Sequence, residues 1–374
     1  MQKKLIALAV AALASGAALA QSNVTVYGTV DVGFAHRSSN MAPRTKSQQG
    51  INSGQSAPSL IGFKGVEDLG NGNKVLFVLE SGFHTDNGAH RSENSFFNQQ
   101  AFLGMTGDWG TAIAGRLLAP RYGFLKSLDP FGDGTVGRFG NVYEDYRALG
   151  APVANVDRVN NAVAYVSPSW SGFNVTAAYA TNALGQENLA NRMDGRTYTL
   201  LPRYTNGPID VGFSWQRVNI NKARSTIGTK VSINQWTLGG GYDFGALKLT
   251  AAYDDYKQGM SSGIYDPRMK SWLVGLSVPF NQHAIQFSYN QSKLKTERDT
   301  PYGKSRQWAL GYTYDLSKRT NFYAAYAHVT NKKRNGVYLR GVNVGDAHNR
   351  DFSGNGPDIA GYRSGLQFGL KHNF

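Results

Sequence analysis

Six charged residues of this chain are candidates for shared chemistry: Asp129 and Asp133 within one long irregular stretch, Arg116 and Arg158 at its edges, and Lys64 and Glu80 in alternating segments well before it. The chemistry open to such a set is electrostatic. Opposed charges across a narrow aqueous passage create a transverse field that orients dipolar solutes and rejects apolar ones. Covalent chemistry has little to work with. The chain has no cysteine, and its seven histidines are scattered without ligand spacing. His283 and Ser288 are five residues apart in an alternating segment, so on a strand they point to opposite faces and make no nucleophile–base pair. Gly70-Asn71-Gly72-Asn73-Lys74 reads as a hairpin turn with no helix behind it. Gly134, Gly137 and Gly140 read as loop glycines, not a dinucleotide fingerprint.

The irregular stretch, 117–158, stands out because the chain on either side alternates apolar with polar. A loop of that length is uncommon in a compact domain and is usually functional. The flanking segments read as strands of a closed barrel, with this loop folded inward to narrow the lumen. Alternation is clear in Val24-Val26-Gly28-Val30-Val32-Phe34, in Ile209-Val211-Phe213-Trp215, in Leu247-Leu249-Ala251-Tyr253, and in Tyr362 to Phe374. A soluble sandwich also alternates. Here, however, the strands run about 10 residues, enough to cross a bilayer at a tilt. Aromatics crowd the strand ends, and the polar face is rich in glycine and small residues, as a lumen requires. Short turns alternate with long connections near 37–56, 84–95, 117–158, 181–195, 218–231, 257–268, 293–304 and 331–360. Eight long connections imply sixteen strands in an all-β, antiparallel, up-and-down transmembrane barrel, wide enough for an aqueous channel.

Strand parity then assigns sides. Phe63 faces lipid, so Lys64 faces the lumen; Val75, Phe77 and Leu79 face lipid, so Glu80 faces inward. Ile113 and Gly115 share one face, which puts Arg116 on the other, the lumen side. Val163 and Tyr165 face lipid, which puts Arg158 inside. Charge at mid-depth on the lipid face costs about 2–4 kcal/mol, so charged strand residues belong inside. Arg203, Lys248, Arg363 and Lys371 against Asp210, Asp243 and Asp254 line the wider lumen.

Residues 1–20, MQKKLIALAVAALASGAALA, have a basic head at Lys3 and Lys4, an apolar run and a small-x-small end at Ala18-Leu19-Ala20. They read as a secretory signal peptide, leaving 21–374 as the barrel. The formal charge is +14, or +12 without Lys3 and Lys4. An exported chain does not meet its own genome, and no basic helix face is present, so nucleic acid is excluded as a partner. Anionic lipopolysaccharide, anionic solutes or a basic pore wall account better for the charge. With 20 Tyr, 19 Phe and 44 Gly and a negative mean hydropathy, the composition fits a membrane barrel, in which only alternate residues meet lipid.

The mature chain resembles the general porins of the Gram-negative outer membrane, of the sixteen-stranded trimeric type. The residues that carry the resemblance are NVTVYGTVDVGF (23–34), LIGFKGVEDLGNGNKVLFVLESGF (60–83), QAFLGMTGDWGTAIAGR (100–116), NNAVAYVSPSWSGF (160–173) and the closing GLQFGLKHNF. The resemblance implies that the third outer loop forms an eyelet, with basic wall residues facing acidic loop residues. Here that means Lys64, Arg116 and Arg158 against Asp129 and Asp133, with Glu80 deeper and Gln99, Arg121 and Arg138 as further contributors. The chain departs from the family pattern at Ser59-Leu60, Gln99, Ala164 and Val166, where relatives often carry charge. The resemblance also implies a homotrimer joined through the strands near the termini. It makes Phe374, the terminal aromatic, the assembly signal. Outer-membrane lipid, lipopolysaccharide, small hydrophilic solutes and ions are the implied partners. No cofactor and no metal are called for. The function expected is passive diffusion with a weak anion preference. The alternatives are a substrate-specific channel, which would need an aromatic track along the lumen, and a barrel whose outer loops act as an adhesin.

Overall fold

The computed structural model describes residues 23–38, 47–92, 95–132, 134, 136–143, 157–183, 195–221, 230–260, 267–295, 301–333 and 363–374. The expected leader, 1–20, and Asp133 lie outside the described residues.

All strands belong to one closed antiparallel sheet. In chain order they are β1 (Asn23–Arg37), β2 (Gln48–Ser53), β3 (Leu60–Gly70), β4 (Asn73–Gly82), β5 (Ala101–Gly107), β6 (Gly110–Leu118), β7 (Arg158–Val166), β8 (Phe173–Ala180) and β9 (Arg196–Asn206). There follow β10 (Ile209–Ile220), β11 (Val231–Asp243), β12 (Lys248–Met260), β13 (Arg268–Phe280), β14 (His283–Lys295), β15 (Pro301–Asp315), β16 (Thr320–Lys333) and β17 (Ser364–Asn373). β1 pairs with both β2 and β3, each strand from β3 onward pairs with the next, and β1 closes on β17, from Thr29 opposite Asn373 to Arg37 opposite Gly365. The seam is finished by backbone hydrogen bonds between Gly28 and Phe374, both 3.1 Å.

Seventeen segments make sixteen staves. The upper half of β1 pairs with β2 and its lower half with β3, so β2 and β3 are one wall strand interrupted at 54–59. The expected loop at 37–56 is therefore corrected: Gln48–Ser53 is wall, and the chain leaves the sheet only after it. Asp31 accounts for the break. Its buried carboxylate accepts the N–H groups of Gln55 (3.2 Å), Ser56 (2.9 Å) and Ala57 (2.8 Å) and the Tyr323 hydroxyl (2.6 Å). Backbone amides withdrawn from a ladder need another acceptor, and this carboxylate supplies it.

The outer face is apolar, with Val26, Ile61, Leu103, Val163, Val211, Leu238, Val274, Phe287, Leu310 and Leu370 among its exposed side chains. Two aromatic girdles border this surface. One runs along the short-turn end, where Trp109 stacks on Tyr165 and His283 on Tyr314. The other lies toward the long connections: Trp236 against Tyr253, Trp272 against Tyr289, and Trp308 against Tyr326, with centroids 5.3 to 5.4 Å apart. Aromatic residues collect where bilayer meets water, so the girdles mark the two interfaces. At the short-turn end, β13 and β14 join through Asn281-Gln282, with Asn281 at φ 51°, a left-handed position asparagine tolerates well.

Candidate pore constriction

The connection after β6 enters the barrel as helix α1 (Pro120–Leu128). Proline opens it at a position where its missing N–H costs nothing. The base of the loop is pinned by the Ala119 N–H on the Asp157 carbonyl, 2.9 Å. Tyr122, Phe124, Leu125 and Leu128 are buried, while Lys126 and Ser127 stay more accessible. A short helix, α2 (Gly140–Tyr143), follows and packs on β14 and β15.

The wall provides a seat for this loop. Gly212, Gly239, Gly275 and Gly311 lie on the inward faces of β10, β11, β13 and β15. A methyl group added to them would come within 2.8 Å of Phe124, 2.4 Å of Leu128, 2.4 Å of Pro130 and 2.6 Å of Phe131 respectively. Between them the cross-strand neighbours Ala252, Ser288 and Ala309 are small and buried. The glycine-rich inner face is thus shaped to the loop as well as to water. Above the seat, Phe139, Val142 and Tyr143 belong to one apolar cluster with Val218, Ile233, Tyr256 and Leu273.

Polar ties set the register of loop on wall. Arg121 pairs with Asp254 on β12 at 3.0 Å, and both are almost inaccessible. Asp254 also accepts from Thr237 (2.6 Å) and Gln235 (2.9 Å). Gln307 donates to the carbonyls of Gly137 (2.7 Å) and Arg138 (3.0 Å). Gln367 accepts from the Val136 N–H (3.1 Å) and donates to the Gln55 carbonyl (3.1 Å), so it joins the loop to the wall excursion held by Asp31.

These contacts decide the fate of the residues singled out in the loop. Arg121 is an anchor, not a face of the passage. Asp129 is buried and accepts the N–H groups of Phe131 (3.0 Å) and Phe139 (2.6 Å), so it organises the loop from within. Arg138 is buried at 4% exposure. Gln99 is buried at 1% exposure and donates to Asn98. Burial therefore corrects the expectation that Arg121, Asp129, Arg138 and Gln99 display their polar groups to the passage.

On the wall opposite α1 the polar groups form a connected set. The Tyr27 hydroxyl donates to Glu80 (2.8 Å), Gln100 donates to the other Glu80 oxygen (3.1 Å), and the Lys64 ammonium sits 5.0 Å from the Tyr27 ring centroid. Arg116 donates to the Asn98 carbonyl through two nitrogens (3.0 and 2.8 Å) and to Asn160. Arg158 lies close enough to Arg116 and to Lys126 to repel both. Strict parity along β6 does not carry Arg116 to this place. Ala112 and Ala114 are the exposed residues of β6, so Ile113 and Gly115 are on the inner side, the reverse of the assignment from sequence. The register then slips between Gly115 and Leu117, opposite Val159 and Ala162, which are both buried. A bulge of this kind breaks the alternation and re-aims the side chains beside it.

The sequence reading passed over Lys126, which the loop helix holds among Arg158, Glu80, Asp157 and Lys371. Burial and the neighbouring Arg158 push its ammonium down to about 8, against the opposing pull of Glu80 and Asp157. The signal available was its place on a helix whose other side is aromatic and aliphatic. The wider-lumen charges are partly spent: Arg203 clamps Asp210 through two nitrogens (2.7 and 2.6 Å), and Asp254 belongs to Arg121. Among the described residues, the accessible charge near the passage is Lys64, Arg116, Lys126 and Arg158 against Glu80. Among the described residues there is also no cluster of His, Asp and Glu able to hold a metal ion.

Residues 7–334 match the family model described as Gram-negative porin. Over the whole length of both chains, the sequence is 31% identical to outer membrane porin protein 32 of Delftia acidovorans. It is 30% identical to an outer membrane porin protein of Bordetella pertussis, covering 88% of this chain and 95% of that one. The solved structure of an anion-selective porin from Comamonas acidovorans superposes with a TM-score of 0.77 at 26% identity, covering 95% of this chain and all of the other.

Proposed function

The chain belongs to the Gram-negative porin family, and we infer that its outer-membrane channel favours anions through a cationic constriction. The family is one of channels, not enzymes, and this one passes small hydrophilic solutes by passive diffusion through a water-filled barrel. The observation that carries the preference is the imbalance at the passage: Lys64, Arg116, Lys126 and Arg158 against Glu80, with Asp129 and Asp254 engaged elsewhere. Charges act on a permeating ion only within a Debye length of about 8–10 Å, so these residues count for more than the overall +14. The anion selectivity ascribed to the Comamonas porin supports the same sign. Reversal potentials in a salt gradient across planar bilayers test it. A zero-current potential on the anion side that shrinks as salt rises is the expected result; a cation-side potential would refute the reading.

The same family reading supports a homotrimer. Val24, Val26, Ile61, Leu366 and Phe368, on strands adjoining the seam, leave an exposed apolar face that a neighbouring barrel could cover. A native mass of three chains in mild detergent is expected, and a mass of one chain would refute the trimer.

A further inference from the structure

Asp31 is an unusual residue for a barrel wall. It is fully buried, and a buried charge is costly unless its oxygens are paired. Both of them are. Oδ1 accepts the Gln55 N–H (3.2 Å) and the Tyr323 hydroxyl (2.6 Å), while Oδ2 accepts the N–H groups of Ser56 (2.9 Å) and Ala57 (2.8 Å). Ser59 fixes the Asp31 backbone as well: its hydroxyl accepts the Asp31 N–H (3.0 Å) and donates to the Asp31 carbonyl (3.1 Å). Residues 54–59 therefore leave the wall in one defined shape. An unbroken strand would satisfy the same amides within the ladder and bury no charge, so the excursion calls for another reason.

The tip of the inward loop supplies it. Gly134 lies so close to the excursion that an added methyl would come within 2.3 Å of the Ser56 carbonyl carbon and 2.7 Å of the Gln55 oxygen. Gln367, fully buried on β17, accepts the Val136 N–H (3.1 Å) and donates to the Gln55 carbonyl (3.1 Å). Gln55 is equally buried, and its side-chain amide donates to the carbonyls of Gly33 and Asn52. Loop tip and excursion thus meet backbone to backbone, with one side chain as the bridge. β3 starts where the excursion ends and carries Lys64, opposite β4 with Glu80.

We propose that Asp31 is a positioning residue for the passage: by holding Gln55, Ser56 and Ala57 out of the ladder it builds the shelf on which the loop tip sits, and so sets the aperture between that tip and the wall that carries Lys64 and Glu80. Arg121 and Asp254 hold the start of the loop; Asp31 and Gln367 hold its tip. The proposal rests on the channel reading.

The test compares the full-length native chain with Asp31→Asn and Gln367→Leu. Asparagine keeps the volume but offers one acceptor oxygen and turns an NH2 group toward donors. Leucine at 367 cuts the bridge and leaves the shelf. Amide exchange and exclusion of neutral polymers are both read on heat-modifiable, folded protein. In the native chain the amides of 55–57 and Val136 should exchange as one unit. A hydrogen bond to a charged group is worth roughly tenfold in an opening equilibrium, so in Asp31→Asn both segments should exchange at least about tenfold faster, and the cut-off should shift to larger polymers. In Gln367→Leu the cut-off should shift likewise and Val136 should lose protection, while 55–57 keep theirs. A purely structural role would lower the yield of folded barrel and leave the cut-off of assembled channels native; that result in Asp31→Asn would overturn the proposal. If Asp31→Asn does not assemble, the native chain and Gln367→Leu decide. Fast exchange of 55–57 beside a protected Val136 in the native chain, or a native cut-off in Gln367→Leu, would overturn it too. Exchange is read without any current, so a coupled shelf and tip in a protein that passes no current would refute the channel reading and leave the coupling standing.

Discussion

Arg121, on the helix of the inward loop, reaches Asp254 on the wall at 3.0 Å, across 133 residues of sequence, and neither side chain is more than 3% exposed. Breaking one half of a buried pair leaves an uncompensated charge and costs roughly 3–5 kcal/mol. Here the cost falls on the loop, because the sixteen-stave wall is held by its own ladders. Arg121→Ala and Asp254→Ala should therefore leave the barrel folded and release the loop. Larger and noisier single-channel currents, with new protease cleavage between 119 and 143, are expected; unchanged currents in both variants would show that the pair does not hold the loop.

The glycine seat makes a second prediction. A side chain at Gly275 meets Pro130 at 2.4 Å and has no room. Gly275→Val should displace the loop at a cost of about 1–3 kcal/mol and widen the passage. Gly245→Ala sits in a turn with open space around it, though at φ +85°, and should leave the passage alone. Size exclusion of neutral polymers from the pore distinguishes the two.

Lys126 makes the selectivity depend on pH. Its ammonium, pushed down to about 8, loses its proton as pH rises through that value, and the passage then loses one positive charge. Anion preference should fall between pH 7 and pH 9. In Lys126→Met the preference should be lower at pH 7 and no longer change over that interval. A native-like slope in that variant would assign the titration to another group.

Arg158 and Glu80 should act in opposite directions. A unit charge about 8 Å from an ion in water is worth about 0.5 kcal/mol, or roughly twofold in permeability. Arg158→Ala should shift the zero-current potential toward cations by that order, and Glu80→Gln toward anions. Asp133, which lies outside the described residues, is expected to act like Glu80 if it faces the passage, so Asp133→Ala is the companion measurement.

Phe374 closes the seam from the lipid side. Its ring lies against Gly28, where an added methyl would come within 2.6 Å, and its backbone pairs with the same residue. An aromatic ring over a strand glycine covers exposed backbone. Deleting Phe374 should reduce the heat-modifiable folded barrel recovered from membranes, with little effect on the current through each barrel that does assemble. Full recovery would show the residue to be dispensable for assembly.

Alternation by itself determined much of this protein. A period of two is a local property of a strand, so Val24, Val211, Val274 and Leu370 could be assigned to the lipid face without knowledge of their partners, and the eight long connections set the stave count. The side of Lys64 and Glu80 followed from the same rule. Where the period is broken, the rule stops. The wall strand interrupted after Ser53 depends on Asp31 gathering three amides, and the side of Arg116 depends on a bulge whose register is set by the neighbouring strand. Within the loop, composition offered five acidic and five basic residues between 117 and 158 but no way to rank them. Closing the barrel ranked them: it brought Asp254 to Arg121 and the amides of Phe131 and Phe139 to Asp129, and it left Lys126 beside Arg158. A helix inside a barrel has no periodic neighbour to which sequence can refer, so only the shape of the wall against it decides which charges are buried as anchors and which face the water.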